Sequence, residues 1–370
     1  MSMQFKSVFG QKRLKEELIK EVNEERISHA QLFLGKPGFG GLPLALAFIQ
    51  YLFCEKKQKN DSCGECSQCR KNTSLQHPDV HFSFPTVQAI SKTTSPLLSD
   101  WRIQIQEEPY FSLNTWLKKI DSKERKPIIS KDESQEIIKK LSLRSLEGGY
   151  KVMIIWMAEE MNLTCSNKLL KIIEEPPEKT IFLLIAEAQE YILQTILSRT
   201  QIVKIPQLDW SEITEELKKK GAKNIESITS RASGDMLEAF NLMQENAKAD
   251  NNKDFVQLMR VCYKKNVLDM IAWSEKIADT SKQNQKQFLK YALHMFRQSL
   301  LRNYTGNIIT RVSDDEDAFL ENFAQFITGN NIRNITASFN DSYYHIERSA
   351  NSKILFTHLC FQVMREIHSA

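Results

Sequence analysis

Five short apolar runs, at 31–34, 80–84, 152–156, 181–185 and 202–205, the last four rich in β-branched residues, alternate with stretches of helical periodicity. Nothing else in the chain limits its fold as strongly. Strands separated by helices cannot pair as hairpins, so they lie parallel, with crossover helices covering both faces of one sheet. The intervening stretches agree. Leu14, Leu18, Ile19 and Val22 share one face of a helix expected over 11–27. Ser130 followed by Glu133 predicts a capping box ahead of Ile137, Ile138 and Leu141. A helix over 166–175 stops at Pro176-Pro177. The alternation is interrupted over 86–126, where Trp101, Tyr110, Phe111 and Trp116 stand among polar residues. That segment reads as an insertion, ordered in part because it has aromatics to bury.

After Pro206 the pattern changes to short helical segments over 208–248, around the break Ala232-Ser233-Gly234-Asp235. From 249 to 370 helical periodicity dominates, as in Phe288, Leu289, Ala292, Met295 and Phe296, and later Ile354, Leu355, Leu359 and Val363. With 370 residues, two or three domains are expected. They are an α/β domain over 1–207, a small helical domain over 208–248 and an all-α domain over 249–370. An apolar fraction of 41% with only ten Pro and twelve Gly argues against long disordered tracts. The balance of 50 basic and 46 acidic residues permits contact with nucleic acid without requiring it. The first twenty residues are charged early and carry no apolar h-region, and no apolar run is long enough to span a bilayer. A cytoplasmic protein without a membrane partner is expected.

The first apolar run leads into Leu34-Gly35-Lys36-Pro37-Gly38-Phe39-Gly40-Gly41-Leu42 and then an apolar helix. Strand, glycine loop and helix are the setting of a phosphate-cradling loop, G-x-x-x-x-G-K-[ST]. Gly35, Gly38 and Gly40 keep the spacing, but Gly41 and Leu42 stand where the phosphate-binding Lys and the magnesium-holding hydroxyl belong. On these residues alone the loop also fits a plain tight turn. A second nucleotide feature fails too. The run at 152–156 ends in Trp156, where an ATPase carries an acidic metal ligand, and the following Glu159 and Glu160 read as solvated helix-start residues. Both failures point to a nucleotide-type fold without nucleotide chemistry, and no ATP is expected.

Four of the seven cysteines cluster as Cys54-x8-Cys63-x2-Cys66-x2-Cys69. Two x2 spacings fold a knuckle around a tetrahedral ion, with Cys54 as the remaining ligand. Four thiolates suit Zn²⁺ and leave no position for water, so the expected role is structural. A redox dithiol needs two cysteines, not four. A zinc knuckle can touch nucleic acid, but Lys56, Lys57, Lys59, Arg70 and Lys71 read more simply as a solvated basic surface. Arg199, in Ile196-Leu197-Ser198-Arg199-Thr200, reads from spacing as a helix-end cap.

Taken together, several strings resemble the clamp-loader branch of the AAA+ ATPases, and within it the delta-prime family of bacterial DNA polymerase III. They are Ser28-His29-Ala30-Gln31-Leu32-Phe33-Leu34-Gly35, the four cysteines, and His77-Pro78-Asp79-Val80. Asn167-Lys168-Leu169-Leu170-Lys171-Ile172-Ile173-Glu174-Glu175-Pro176-Pro177 and Ile196-Leu197-Ser198-Arg199-Thr200 complete the set. The likeness covers roughly 5–245 and is weaker beyond, where only 348–355 matches a family segment. It implies an AAA+ α/β domain with a zinc module at 54–69, a helical lid over 208–248 and a helical collar. It further implies a subunit without an ATPase of its own, working beside ATP-binding AAA+ subunits and delta to load the sliding clamp onto primed DNA. In that family the Ser-Arg-Cys string offers an arginine finger to a neighbour's ATP, and Arg199 falls on its Arg. Here Thr200 replaces the Cys, Trp156 the strand-end Asp, and Leu237 a sensor Arg of the lid. The other readings are an active ATPase of the same fold and a free-standing zinc-containing nucleic-acid-binding protein. The second of these would carry salt-sensitive DNA affinity of its own.

Overall fold

The computed structural model describes residues 3–123, 125–245, 251–306, 309–348 and 350–368. The chain divides into two compact units. One comprises Met1–Ile213 with Gly234–Glu238, the other Thr214–Ser233 with Ala239–Ala370. The boundary expected at 248–249 lies outside the described residues.

The first unit holds a five-stranded sheet of β1 (Ala30–Leu34), β2 (Val80–Ser83), β3 (Lys151–Trp156), β4 (Thr180–Ala186) and β5 (Gln201–Lys204). Every pairing is parallel, in the order β2-β3-β4-β1-β5. Leu32 of β1 lies between Leu184 of β4 and Ile202 of β5. The central β3 and β4 are buried at every residue, as continuous apolar strands covered on both faces must be. Successive side chains go to opposite faces. Val152, Ile154 and Trp156 join one core with Leu44, Phe48 and Leu183, while Met153 and Ile155 join another with Ile137, Leu169 and Leu184. The helix Gly41–Phe53 is apolar all round and buried from Gly41 to Leu52, which makes it the central support of the first core.

The segment over 86–126 folds as expected for one with aromatics to bury. Helices Leu98–Glu107 and Leu113–Ile120 place Trp101 and Trp116 in the first core, and the link between them adds Phe111. Phe84 stacks on Trp101 with centroids 4.3 Å apart, and Trp116 Nε1 donates to the Pro85 carbonyl at 2.9 Å.

One local expectation is corrected. Ser130 does cap the helix Lys131–Ser142, accepting from Asp132 N. Glu133 does not close a box with it. Its carboxylate instead accepts from Thr94 N at 2.8 Å and Thr94 Oγ1 at 2.7 Å, because burial rewards the partner with two donors. A complete capping box forms at Ser313 and Glu316, ahead of the helix Asp314–Phe323.

Among the described residues, the regular elements of the second unit are all helices. Its core gathers Phe255, Trp273, Phe288, Leu289, Met295, Phe296, Phe339, Phe356, Leu359 and Val363. Ile354 is exposed rather than part of the apolar face of Ser352–His368. No described helix is long and apolar enough to cross a membrane.

Candidate functional site

The glycine loop begins where β1 ends, with Gly35 N donating to the Ala186 carbonyl at 3.0 Å. A short turn, Pro37–Phe39, leads to Gly40, whose φ of 93° lies in the left-handed region, at the N-cap of Gly41–Phe53. Glycine is the residue that adopts this conformation without strain. Side chains from distant parts of the chain pack close against the loop's glycines. A Cβ on Gly38 would collide with Asp235 Oδ1, and one on Gly40 would sit 3.1 Å from the Tyr110 hydroxyl. Tyr110 comes from the inserted segment, and its oxygen accepts from Phe9 N at 2.9 Å. Leu42 is 5% exposed and belongs to the core. Leu237 contributes a backbone N beside Gly38.

At the end of β3, Trp156 is 2% exposed. Its ring meets Trp101 at 5.0 Å and Phe111 at 4.9 Å, both from the inserted segment. The position that holds a metal ligand in an ATPase is here the floor of an aromatic cluster.

Glu159 and Glu160 are half-buried, which corrects the expectation of solvated residues. They sit on a 3₁₀ turn, Ala158–Glu160, that follows β3 after Met157. Glu159 Oε1 accepts from Glu187 N at 2.7 Å, and its Oε2 is buried without a hydrogen bond among the described residues. Burial raises both carboxyls, with Glu160 adding like-charge repulsion on Glu159. Burial, then Glu159 and Asp235, push the Glu187 carboxyl up to about 7, against a lowering by Lys36. Asp235 is raised chiefly by burial, although its Oδ1 accepts from Glu238 N at 3.1 Å as the cap of Met236–Glu245. Acidic groups therefore crowd the mouth of the loop. Only their distant positions in sequence hid this.

The four clustered cysteines do come together. Cys54 ends the central helix, Cys63 and Gly64 form a turn, and Cys66 caps the helix Ser67–Thr73, which carries Cys69. Their Sγ atoms all lie within 4.8 Å of one another, with Cys63 and Cys69 3.9 Å apart. Four sulfurs about 2.3 Å from a tetrahedral ion would be about 3.8 Å apart, so the residues present fit one metal ion. Backbone N–H groups of Cys66 and Glu65 donate to Cys63 Sγ and draw that thiol down to about 6.

His77 and Asp79 knit this knuckle to the rest of the unit, a role their sequence did not disclose. The Asp79 carboxylate accepts from Ser145 Oγ at 2.9 Å, Leu146 N at 2.8 Å and Glu147 N at 2.9 Å. His77 Nδ1 accepts from Asp79 N, and its Nε2 meets Gln68 Oε1 at 2.9 Å. Gln68 and Lys71 of the knuckle helix both reach Glu147.

Arg199 follows the short helix Gln194–Leu197 and is 31% exposed. Its Nη1 donates to the Thr195 carbonyl at 3.0 Å, so the cap is real. Its Nε also donates to Glu174 Oε2 at 2.8 Å, a partner that spacing gave no reason to expect. Thr200 Oγ1 donates to the Ile196 carbonyl at 3.1 Å.

A parallel five-stranded sheet with a glycine loop between β1 and the central helix, followed by a helical C-terminal region, defines an AAA+-like α/β protein. The model of the family described as "DNA polymerase III, delta subunit" matches residues 10–209, and the chain belongs to that family. It is similar to the DNA polymerase III subunit delta' of Bacillus subtilis, 26% identical over 256 residues, covering 69% of this chain and 66% of that protein. It is also similar to the subunit delta' of Yersinia pestis, 30% identical over 183 residues, covering 50% of this chain and 43% of that protein. The matches thus span less than two thirds of these relatives' length. A gamma subunit-related DNA polymerase III protein of Thermotoga maritima aligns over 95% of this chain and 99% of its own, at 14% identity and a TM-score of 0.42. That likeness carries no weight here.

Proposed function

We propose that the chain is a clamp-loader subunit of the delta-prime kind that binds no ATP itself and completes the ATP site of a neighbour through Arg199. Membership of the family supports the loader role. One observation carries the non-catalytic part. The loop that should cradle phosphate has a carboxylate, Asp235, pressed on Gly38 and a tyrosine on Gly40, with neither a Lys nor a hydroxyl at 41 and 42. A triphosphate brings negative charge, and the loop offers it no Lys at position 41 while the Asp235 side chain stands against Gly38. Arg199, by contrast, stands partly exposed at a helix end.

In this reading ATP-binding AAA+ subunits and delta are the partners. Residues 208–248 form the lid and 249–370 the collar through which the subunits assemble. The assembly opens the sliding clamp and sets it on primed DNA. Cys54, Cys63, Cys66 and Cys69 hold one structural Zn²⁺, which stiffens the knuckle and leaves no open position for chemistry.

The test is Arg199→Ala in the complex reconstituted from full-length subunits. Arginine fingers contribute roughly 10³ to 10⁵ in rate in other phosphoryl-transfer systems. One ATP site of several should fail, so bulk ATPase falls in part and clamp loading falls further. Arg199→Lys should do little better, because an ammonium lacks the planar fork. Wild-type ATPase and loading by both variants in an intact complex would refute the trans-acting role.

A further inference from the structure

Arg199 is held from two sides. Nε donates to Glu174 Oε2 at 2.8 Å and Nη1 to the Thr195 carbonyl at 3.0 Å, with Ser198 Oγ at 3.5 Å from the same Nη1. A guanidinium is a rigid plane with five N–H donors, so two fixed nitrogens fix all three. The Nη2 edge has no hydrogen bond among the described residues. The carboxylate meets Nε through one oxygen and leaves that edge open, whereas a bidentate pair would have taken two nitrogens and hidden the fork.

Glu174 is well placed for holding. It is the last residue of the helix Leu163–Glu174, and Glu175-Pro176-Pro177 follows directly. A proline ring locks its own φ and restricts the residue before it. The carboxylate therefore projects from a stiff helix end. Side-chain exposures of 31% for Arg199 and 54% for Glu174 make the pair a weak contributor to stability. What it supplies is orientation.

We propose that Glu174 is a positioning residue for Arg199: it sets the guanidinium plane before a neighbouring subunit docks, leaving the Nη2 edge for that subunit's transferring phosphate. The inference rests on the trans-acting reading of Arg199. Without Glu174 the guanidinium keeps only the Thr195 and Ser198 contacts on one nitrogen and can rotate about them. Small misplacements of a catalytic group cost up to about 10²-fold in rate.

The experiment compares complexes built with full-length chains carrying Arg199→Ala, Glu174→Ala, Glu174→Gln, or Arg199→Ala together with Glu174→Ala. The readout is the Arg199-dependent part of ATP hydrolysis, taken as wild type minus Arg199→Ala, with assembly followed by gel filtration. Glu174→Ala should lower kcat for this part roughly 10- to 100-fold with KM for ATP unchanged. Glu174→Gln, which keeps an acceptor, should recover some of the loss. In the Arg199→Ala background, Glu174→Ala should change nothing further, since both remove one interaction. A Glu174→Ala complex with wild-type kcat beside a defective Arg199→Ala complex would overturn the positioning role and leave the arginine reading intact. An equal loss from Glu174→Ala in both backgrounds would overturn it too. Wild-type hydrolysis by Arg199→Ala would remove both readings. If Glu174→Ala fails to assemble, Glu174→Gln carries the same comparison.

Discussion

Replacing Trp156 tests whether the site has been rebuilt as core. The side chain is 2% exposed and packs on Trp101 and Phe111 at 5.0 and 4.9 Å. Trp101 in turn meets Trp116 at 5.1 Å and Phe84 at 4.3 Å, so the indole of Trp156 is one wall of a five-ring cluster. Truncating a buried aromatic of this size costs about 3–5 kcal/mol, through lost transfer energy and the cavity left behind. Trp156→Ala should reach the upper part of that range, because its neighbours are held by the sheet and by the Trp116–Pro85 hydrogen bond and cannot collapse into the space. Trp156→Asp, which restores the residue type of an ATPase, should cost at least as much. It leaves the same cavity and adds a carboxylate among aromatic rings, where burial disfavours its charge. Trp156→Phe should cost least. For a unit of this size about 3–5 kcal/mol corresponds to a fall in Tm of roughly 6–20 °C. Far-UV circular dichroism on the full chain reads the melting without relying on the tryptophan removed. A fall of less than about 3 °C for both Trp156→Ala and Trp156→Asp would mean that the cluster is loosely packed. Trp156 would then not be the support on which the inserted segment's aromatics rest.

Installing Gly41→Lys with Leu42→Thr should not confer ATP binding, since a Cβ at 41 would lie only 3.3 Å from both Ile185 and Ile205 and Asp235 remains at the loop; micromolar affinity by calorimetry would contradict this. Metal analysis of chain purified without chelator should find one zinc, and Cys66→Ser or chelation should open 54–69 to proteolysis while the sheet stays folded. A metal-free chain with four reactive thiols and unchanged proteolysis would oppose it. The Glu187 carboxyl, at about 7 against an ordinary 4.5, gives a pH signature. A carboxyl raised on folding contributes stability that is complete below its unfolded value and is lost as pH rises through its folded one. Stability should therefore decline between about pH 5 and 8, modestly because Glu187 reaches solvent, and Glu187→Gln should flatten that decline. Parallel slopes for the two proteins would refute it.

The strands were legible because 152–156 and 181–185 are short apolar runs set between helical stretches, as a doubly covered parallel sheet requires. The cysteine knuckle was legible because its four cysteines lie within sixteen residues of one another. What escaped depends on partners far away in sequence. Glu133 has the spacing of a capping box, yet its bonds go to Thr94, 39 residues back. Glu159 looked solvated because nothing nearby announced Glu187, whose backbone it accepts from 28 residues on. Glu174 closes its ion pair with Arg199 across 25 residues. Periodicity reports which face of an element is buried; it carries no information about which polar group waits there.

The glycines persist for a reason separate from phosphate. In a working loop they let backbone N–H groups wrap an anion. Here each still faces something that a side chain would strike. A Cβ on Gly35 would stand 2.8 Å from the Ile205 carbonyl oxygen, one on Gly38 would meet Asp235 and Leu237, and one on Gly41 would press on Ile185 and Ile205. Gly40 needs its left-handed φ to turn the chain into the central helix. That helix, buried from Gly41 to Leu52, anchors the first core. Losing the Lys and the hydroxyl costs the fold nothing, because their work was on the ligand, whereas losing a glycine would displace the helix. A glycine loop without the Lys and the hydroxyl can therefore keep the geometry that seats the central helix, which is the arrangement of Gly35 to Leu42.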